Sequence, residues 1–340
     1  MTPGLNNLLR ATSRSFYLTL RALPGAIRPQ IGLAYLLART TDTIADTDIV
    51  PPDRRLDALQ RLRESILAPS SAPTDFGDLA QHQASPAEKL LLEKAEDSLS
   101  ALRHFSAADQ RLIREVLAVI TSGQELDLRR FAKSSAANLV ALETDGELDD
   151  YTWRVAGCVG EFWTKLCRAH LFPRAKLDDR PLLADGVRFG KGLQLVNILR
   201  DLPADLRKGR CYLPKEQLAG TGLAPADLLS PANEPRLRPV YRRYLDLAES
   251  HLAAGWNYTN SLPFRCVRVR LACAWPILIG VKTIGRLRAG NVLDPRCRVK
   301  ISRGEVRAIL LRSALASPLP GLWRRLFPAA KGVALDGQVA

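Results

Sequence analysis

Four aspartates set in two otherwise apolar stretches are the residues of this chain best suited to chemistry. In IGLAYLLARTTDTIAD, Tyr35, Arg39, Asp42 and Asp46 follow one another at spacings of 4, 3 and 4, which puts them on one face of a helix. In GLQLVNILRDLPADLRKGRCYLP, Gln194, Asn197, Asp201 and Asp205 are spaced 3, 4 and 4 and make a second polar stripe. Carboxylates at i and i+4 have Cβ atoms roughly 5–6 Å apart, close enough to converge on one hard cation. Magnesium fits that donor set best: it keeps several waters and commonly bridges one or two carboxylates to substrate phosphates. Two such pairs could hold a diphosphate between them, with Arg39, Arg200, Lys208 and Arg210 supplying complementary charge.

A single such pair also fits a solvated helix face carrying salt bridges. Two pairs in unusually apolar surroundings shift the balance. Leu33, Leu36, Leu37 and Ile44 flank the first motif, and Leu193, Leu195, Val196, Ile198 and Leu199 the second. The first helix is therefore expected to be buried, with its carboxylates pointing into a cavity. Pro203 lies between Asp201 and Asp205 and is expected to bend the second helix there.

Helical spacing of apolar residues recurs at 5–22, 27–46, 53–67, 86–103, 107–132, 136–144, 148–170, 183–202, 237–260, 265–289 and 303–315, and no convincing alternating strand appears. The fold class is all-α. Proline, glycine and serine collect at 68–86, 171–182 and 214–235, which read as loops. A single domain over 1–315 and a tail over 316–340 are expected.

Hydrophobic residues make up 46% of the 340 and charged residues 25%, enough apolar material for a substantial core. The net charge of +14 points to a partner carrying negative charge: nucleic acid, an anionic membrane surface or a phosphorylated substrate. The basic residues are spread out and no nucleic-acid-binding signature occurs, so no nucleic-acid partner is expected. Six cysteines without CxxC spacing read as reduced thiols, and four isolated histidines give no support for a zinc site. The N-terminus lacks the apolar run of a signal peptide. The apolar stretch 271–284 is shorter than the ~20 residues needed to cross a bilayer. A cytoplasmic chain is expected, with peripheral contact at the inner membrane face left open, as is oligomeric state.

The chain resembles the squalene and phytoene synthase family over roughly residues 10–315. The segments that carry the resemblance are Ser13-Arg14-Ser15-Phe16, DTIAD, YTWRVAGCVG and NILRDLPAD. The resemblance implies the all-α type I isoprenoid synthase fold with a central apolar cavity. It gives Asp42, Asp46, Asp201 and Asp205 the role of Mg2+ ligands, and Arg14, Ser15, Tyr35, Arg39, Gln194, Asn197 and Arg200 that of substrate contacts. Tyr151 matches the family's central tyrosine and inherits a part in stabilising a cation or moving a proton. Read from the residue alone, it is equally a packed aromatic. Ala156, Gly157 and Gly160 read as small residues that let helices pack closely.

Two later segments, Cys273-Ala274-Trp275-Pro276 and Val299-Lys300-Ile301-Ser302-Arg303-Gly304, resemble the family's squalene-forming members. They imply NADPH, with Arg14, Arg39, Arg200, Lys300 and Arg303 as candidate contacts. Lys300 and Arg303 alone are equally solvated charges before a helix. No glycine-rich dinucleotide fingerprint supports the cofactor independently. Ala45, Ala272 and Ile277 depart from the eukaryotic pattern.

The implied reaction joins two farnesyl diphosphates into presqualene diphosphate, which hydride from NADPH then converts to squalene. A phytoene or dehydrosqualene synthase without hydride transfer is the alternative. A non-catalytic helical protein that binds membrane or nucleic acid is the rival of another class. The basic and apolar run at 322–327 could touch a membrane surface or be an ordinary tail.

Overall fold

The computed structural model describes residues 2–13, 16–68, 75–294, 296 and 299–332. These are all-α apart from one pair of two-residue strands. The chain groups into two compact units, Met1–Ala132 with Glu161–Ala175 and Lys133–Gly160 with Lys176–Ala340.

The first unit opens with α1 (Pro3–Thr12), where the Thr2 hydroxyl accepts from the Leu5 N–H at 3.4 Å. Pro3 stands in the first turn, where a missing donor costs nothing. Next come α2 (Phe16–Ala22) and α3 (Arg28–Ala45), so the single helix expected over 5–22 is two. After α4 (Pro52–Leu67), a short α5 (Gly77–Gln81) forms in a stretch read as loop. The helix expected over 86–103 divides at Lys94 into α6 (Pro86–Glu93) and α7 (Ala95–Leu102), and α8 (Ala107–Arg130) follows. Helix α3 packs against α1, α2, α4, α6, α7 and α8. Leu33, Leu36, Leu37 and Ile44 have no exposed surface, each contributing about 1.5–3 kcal/mol of burial. The apolar flanks of the first motif thus make its helix the axis of this unit.

In the second unit, the helix expected at 136–144 is not formed. Strand β1 (Val140–Ala141) pairs in parallel with β2 (Arg210–Cys211). The Val140 and Leu142 N–H groups donate to Gly209 and Cys211 carbonyls at 2.9 and 3.1 Å, so these donors serve a ladder instead of a helical turn. Gly209, at φ +80°, makes the turn into β2, and a side chain there would strike Ser135. Helix α9 (Asp145–Thr152) runs through a π-helical turn, Trp153–Gly157, into α10 (Cys158–His170), whose residues from Glu161 onward belong to the first unit. Helices α11 (Asp179–Arg207), α12 (Lys215–Ala219), α13 (Glu234–Ser261), α14 (Val267–Ala289), α15 (Arg303–Ala316) and α16 (Pro320–Lys331) complete the chain.

Pro203 does not end α11, which stays helical to Arg207. A proline at this position deprives the Leu199 carbonyl of its helical donor. The hydroxyl of Tyr241, fully buried on α13, donates to that carbonyl at 3.0 Å. The defect is repaired by a tertiary hydrogen bond, which the local sequence could not reveal.

The stretch expected as a tail contains α16, and its aromatic residues face the protein. Trp323 stacks on Trp256 at 5.3 Å and donates to the Asn260 side chain at 2.8 Å. Phe327 also stacks on Trp256, at 5.8 Å. Leu322, Arg324 and Arg325 remain exposed. Among the described residues no helix is long and apolar enough to cross a membrane.

Candidate active site

The first motif sits where α3 ends. Asp42 lies in the last turn and Asp46 is the C-cap, its N–H donating to the Asp42 carbonyl at 2.8 Å. A helix C-terminus carries partial negative charge and favours cations, so two carboxylates placed there call for one. Arg55, buried on α4, already donates to the Ala45 carbonyl at 2.7 Å and pairs with Asp48 at 3.2 Å. Arg39 lies 3.8 Å from Asp42 and 2.5 Å from Glu88 of α6. Burial alone would lower the Arg39 pKa, but Asp42 and the Glu88 hydrogen bond outweigh it and hold it above its ordinary value.

Asp42 accepts a 2.5 Å hydrogen bond from Nε2 of Gln124 on α8. Its pKa is pushed up to about 6, first by desolvation and then by Asp46, against the opposing pull of Arg39 and Gln124. The side chain still keeps 48% of its surface accessible, so Asp42 is not sealed in the core. A raised carboxylate beside a second one is a site that gains from an added positive charge.

Tyr35 ties the end of α1 and the start of α2 to α3. Its hydroxyl donates to the Thr12 carbonyl at 3.2 Å and its ring stacks on Phe16 at 5.0 Å. Those contacts bracket Arg14 and Ser15, which lie outside the described residues.

The second motif occupies the C-terminal part of α11, in the second unit. Gln194, Asn197, Asp201 and Asp205 are partly or fully exposed, while Leu195, Val196, Ile198, Leu199, Leu202 and Leu206 are buried. The polar stripe is therefore the open face of this helix. Arg200 forks onto its neighbour Asp201, with Nε at 2.8 Å and Nη2 at 2.5 Å. This hydrogen bond is the first cause of a raised Arg200 pKa. Among the described residues no three His, Cys, Asp or Glu side chains gather as a metal cage. Each motif offers two carboxylates, and such a pair suits an ion that draws its other ligands from water and phosphate.

Tyr151 is buried, stacks on Tyr212 at 4.8 Å and lies 3.5 Å from it through the hydroxyls. It lies in the last turn of α9, two residues before the π-helical turn begins at Trp153, a feature that recurs at functional sites. Within the turn and just beyond it the small residues meet α11. A side chain on Gly160 would fall onto the Gly186 carbonyl, and one on Gly190 onto that of Ala156. Ala156, Gly157 and Gly160 thus allow close helix packing, as read from the sequence.

Lys300 and Arg303 are both exposed beside the start of α15. The nearby order belongs to Arg286, which donates to the Lys300 carbonyl and forks onto Glu305 at 2.8 and 2.7 Å, while Glu305 closes a capping box with Ser302. The backbone and hydroxyl of Ser302 lower the Glu305 pKa to about 2.

The family model for squalene/phytoene synthase matches residues 9–305. The chain belongs to the squalene/phytoene synthase family. It is 30% identical over 312 residues to the presqualene diphosphate synthase of Rhodopseudomonas palustris, covering 90% of this chain and 94% of that protein. It is 31% identical over 263 residues to the bifunctional lycopene cyclase/phytoene synthase of Gibberella fujikuroi, covering 75% of this chain but only 42% of that protein. In fold it is similar to TcSQS in complex with the ligand E5700, with a TM-score of 0.78 at 22% identity over 98% of this chain and 92% of that one. The all-helical isoprenoid synthase fold is thereby shown.

Within this family frame, sequence reading missed Glu88 and Gln124, the partners of Arg39 and Asp42. Glu88 is 49 residues from Arg39, and Gln124 is 82 from Asp42. No local spacing could have linked them.

Proposed function

We propose that this chain condenses two farnesyl diphosphates head to head into presqualene diphosphate and then, with NADPH, forms squalene. The observation that carries the reading is the placement of each aspartate pair near the C-terminal end of a long helix, with an arginine on or beside the same carboxylates. Asp42, Asp46, Asp201 and Asp205 would hold magnesium, which when bound offsets the charge of a departing diphosphate. Arg39 and Arg200 would take phosphate oxygens, for which a guanidinium fork is shaped. The polar stripe of Gln194 and Asn197 would orient substrate, and Tyr151, buried against Tyr212, would face the developing cation. The first half-reaction releases one diphosphate and one proton. The second accepts a hydride and releases the remaining diphosphate. Lys300 and Arg303 would contact NADPH. Exposed Leu322, Arg324 and Arg325 would make any contact with a membrane surface.

Incubation with farnesyl diphosphate and Mg2+, with and without NADPH, followed by chromatography and mass analysis, tests this. Squalene formed only with NADPH, and lost in Asp42→Ala and Asp201→Ala, is the expected result. Presqualene diphosphate accumulating under both conditions would limit the activity to the first half-reaction. Dehydrosqualene in both would place the chain among the condensation-only enzymes. No product from farnesyl or geranylgeranyl diphosphate would overturn the reading.

A further inference from the structure

Gln124 is 7% exposed, in the C-terminal third of α8. Its Nε2 donates to Asp42 Oδ1 at 2.5 Å, and a carboxylate accepts only, which turns the amide nitrogen toward it. The other end of the amide, Oε1, is buried and has no hydrogen-bond partner among the described residues. Leaving a buried acceptor unpaired is costly, and one beside a carboxylate pair invites a donor that arrives with a ligand.

We propose that Gln124 is a positioning residue of the α3 metal site: Nε2 fixes the Asp42 carboxylate, and Oε1 accepts from a water carried by the cation that Asp42 binds. The inference rests on the magnesium reading above. It adds a residue from a different helix to the aspartate motif and explains both ends of the amide. Partners of this kind set the direction of a ligand's lone pairs, and losing one typically weakens metal binding 10–100-fold.

A comparison inside the same helix pair separates positioning from packing. Gln30 is also buried, 7% exposed, and bridges α3 to α8 through Nε2 to Asp109 at 3.2 Å. It lies twelve residues before Asp42, about 18 Å along the helix. Gln30→Leu therefore imposes a similar loss on the packing without touching the motif.

The experiment is Mn2+ binding to the full chain in the presence of inorganic diphosphate, read by electron paramagnetic resonance. Sites lost in Asp42→Asn define those of α3. Gln124→Leu is expected to weaken these sites about 10–100-fold and to leave the others unchanged, while Gln30→Leu binds as wild type. Gln124→Met, closer in shape, replaces the leucine variant if that one does not fold. Wild-type binding in the Gln124 variants, or equal weakening in Gln30→Leu, overturns the proposal. Absence of Mn2+ binding in the wild type overturns the magnesium reading and this inference with it.

Discussion

The repair of Pro203 by Tyr241 can be measured as a coupling energy. Tyr241→Phe keeps the packed ring and removes the hydroxyl that donates to the Leu199 carbonyl. That carbonyl lies on a buried residue, so its loss of a donor should cost about 1–3 kcal/mol. In a Pro203→Ala background, the new N–H at 203 can donate to Leu199 as in any helix, and Tyr241→Phe should then cost about 1 kcal/mol less. Urea unfolding of the wild type, both single variants and the double variant gives the four free energies, provided that the slope m is unchanged. Additivity within about 0.5 kcal/mol would refute the argument that the hydroxyl replaces the missing backbone donor. Because Asp201 and Asp205 lie on either side of Pro203, kcat should drop with Tyr241→Phe more in the wild-type background than in Pro203→Ala.

Two further outcomes are expected. The folded pKa of Asp42 is raised from 3.8 to about 6, so its ionised form opposes folding, with a cost that grows as pH rises from 3.8 to 6 and stays constant above. The full shift would correspond to about 3 kcal/mol, but with half the side chain accessible about 1 kcal/mol is expected. Asp42→Asn should be more stable than wild type by that amount at pH 7 and equal to it at pH 3.5, measured without metal; a gain that is the same at both pH values would count against the shift. Trp323→Ala removes a side chain only 2% exposed and should destabilise by about 3–5 kcal/mol, whereas Leu322→Ala, at a site 50% exposed, should stay within about 0.5 kcal/mol. Denaturant unfolding of both variants checks whether α16 is a docked helix.

The aspartate stripes were legible because they repeat at helical spacing within one element, and the burial of α3 followed from the leucines and isoleucine around Asp42. What was not legible depended on distant partners. Val140 and Ala141 form a strand only because Arg210 and Cys211 lie alongside. Trp323 and Phe327 looked like candidates for a membrane surface until Trp256 supplied their partner. The sequence shows the donor lost at Pro203 but not the Tyr241 hydroxyl that replaces it. The same limit hid Gln124, whose amide acquires meaning only when α8 is laid beside α3.

The π-helical turn at Trp153–Gly157 also acts as a phase shift. Each residue of an α-helix advances the side chains by about 100°, and a wider turn accommodates residues that a regular helix would have to rotate onto another face. Deleting one residue between Trp153 and Gly157 would therefore leave the chemistry of every remaining side chain intact while swinging Gly160 away from the Gly186 carbonyl it now approaches. In this stretch the number of residues is as much a constraint as their identity, so substitutions should be tolerated far better than changes in length.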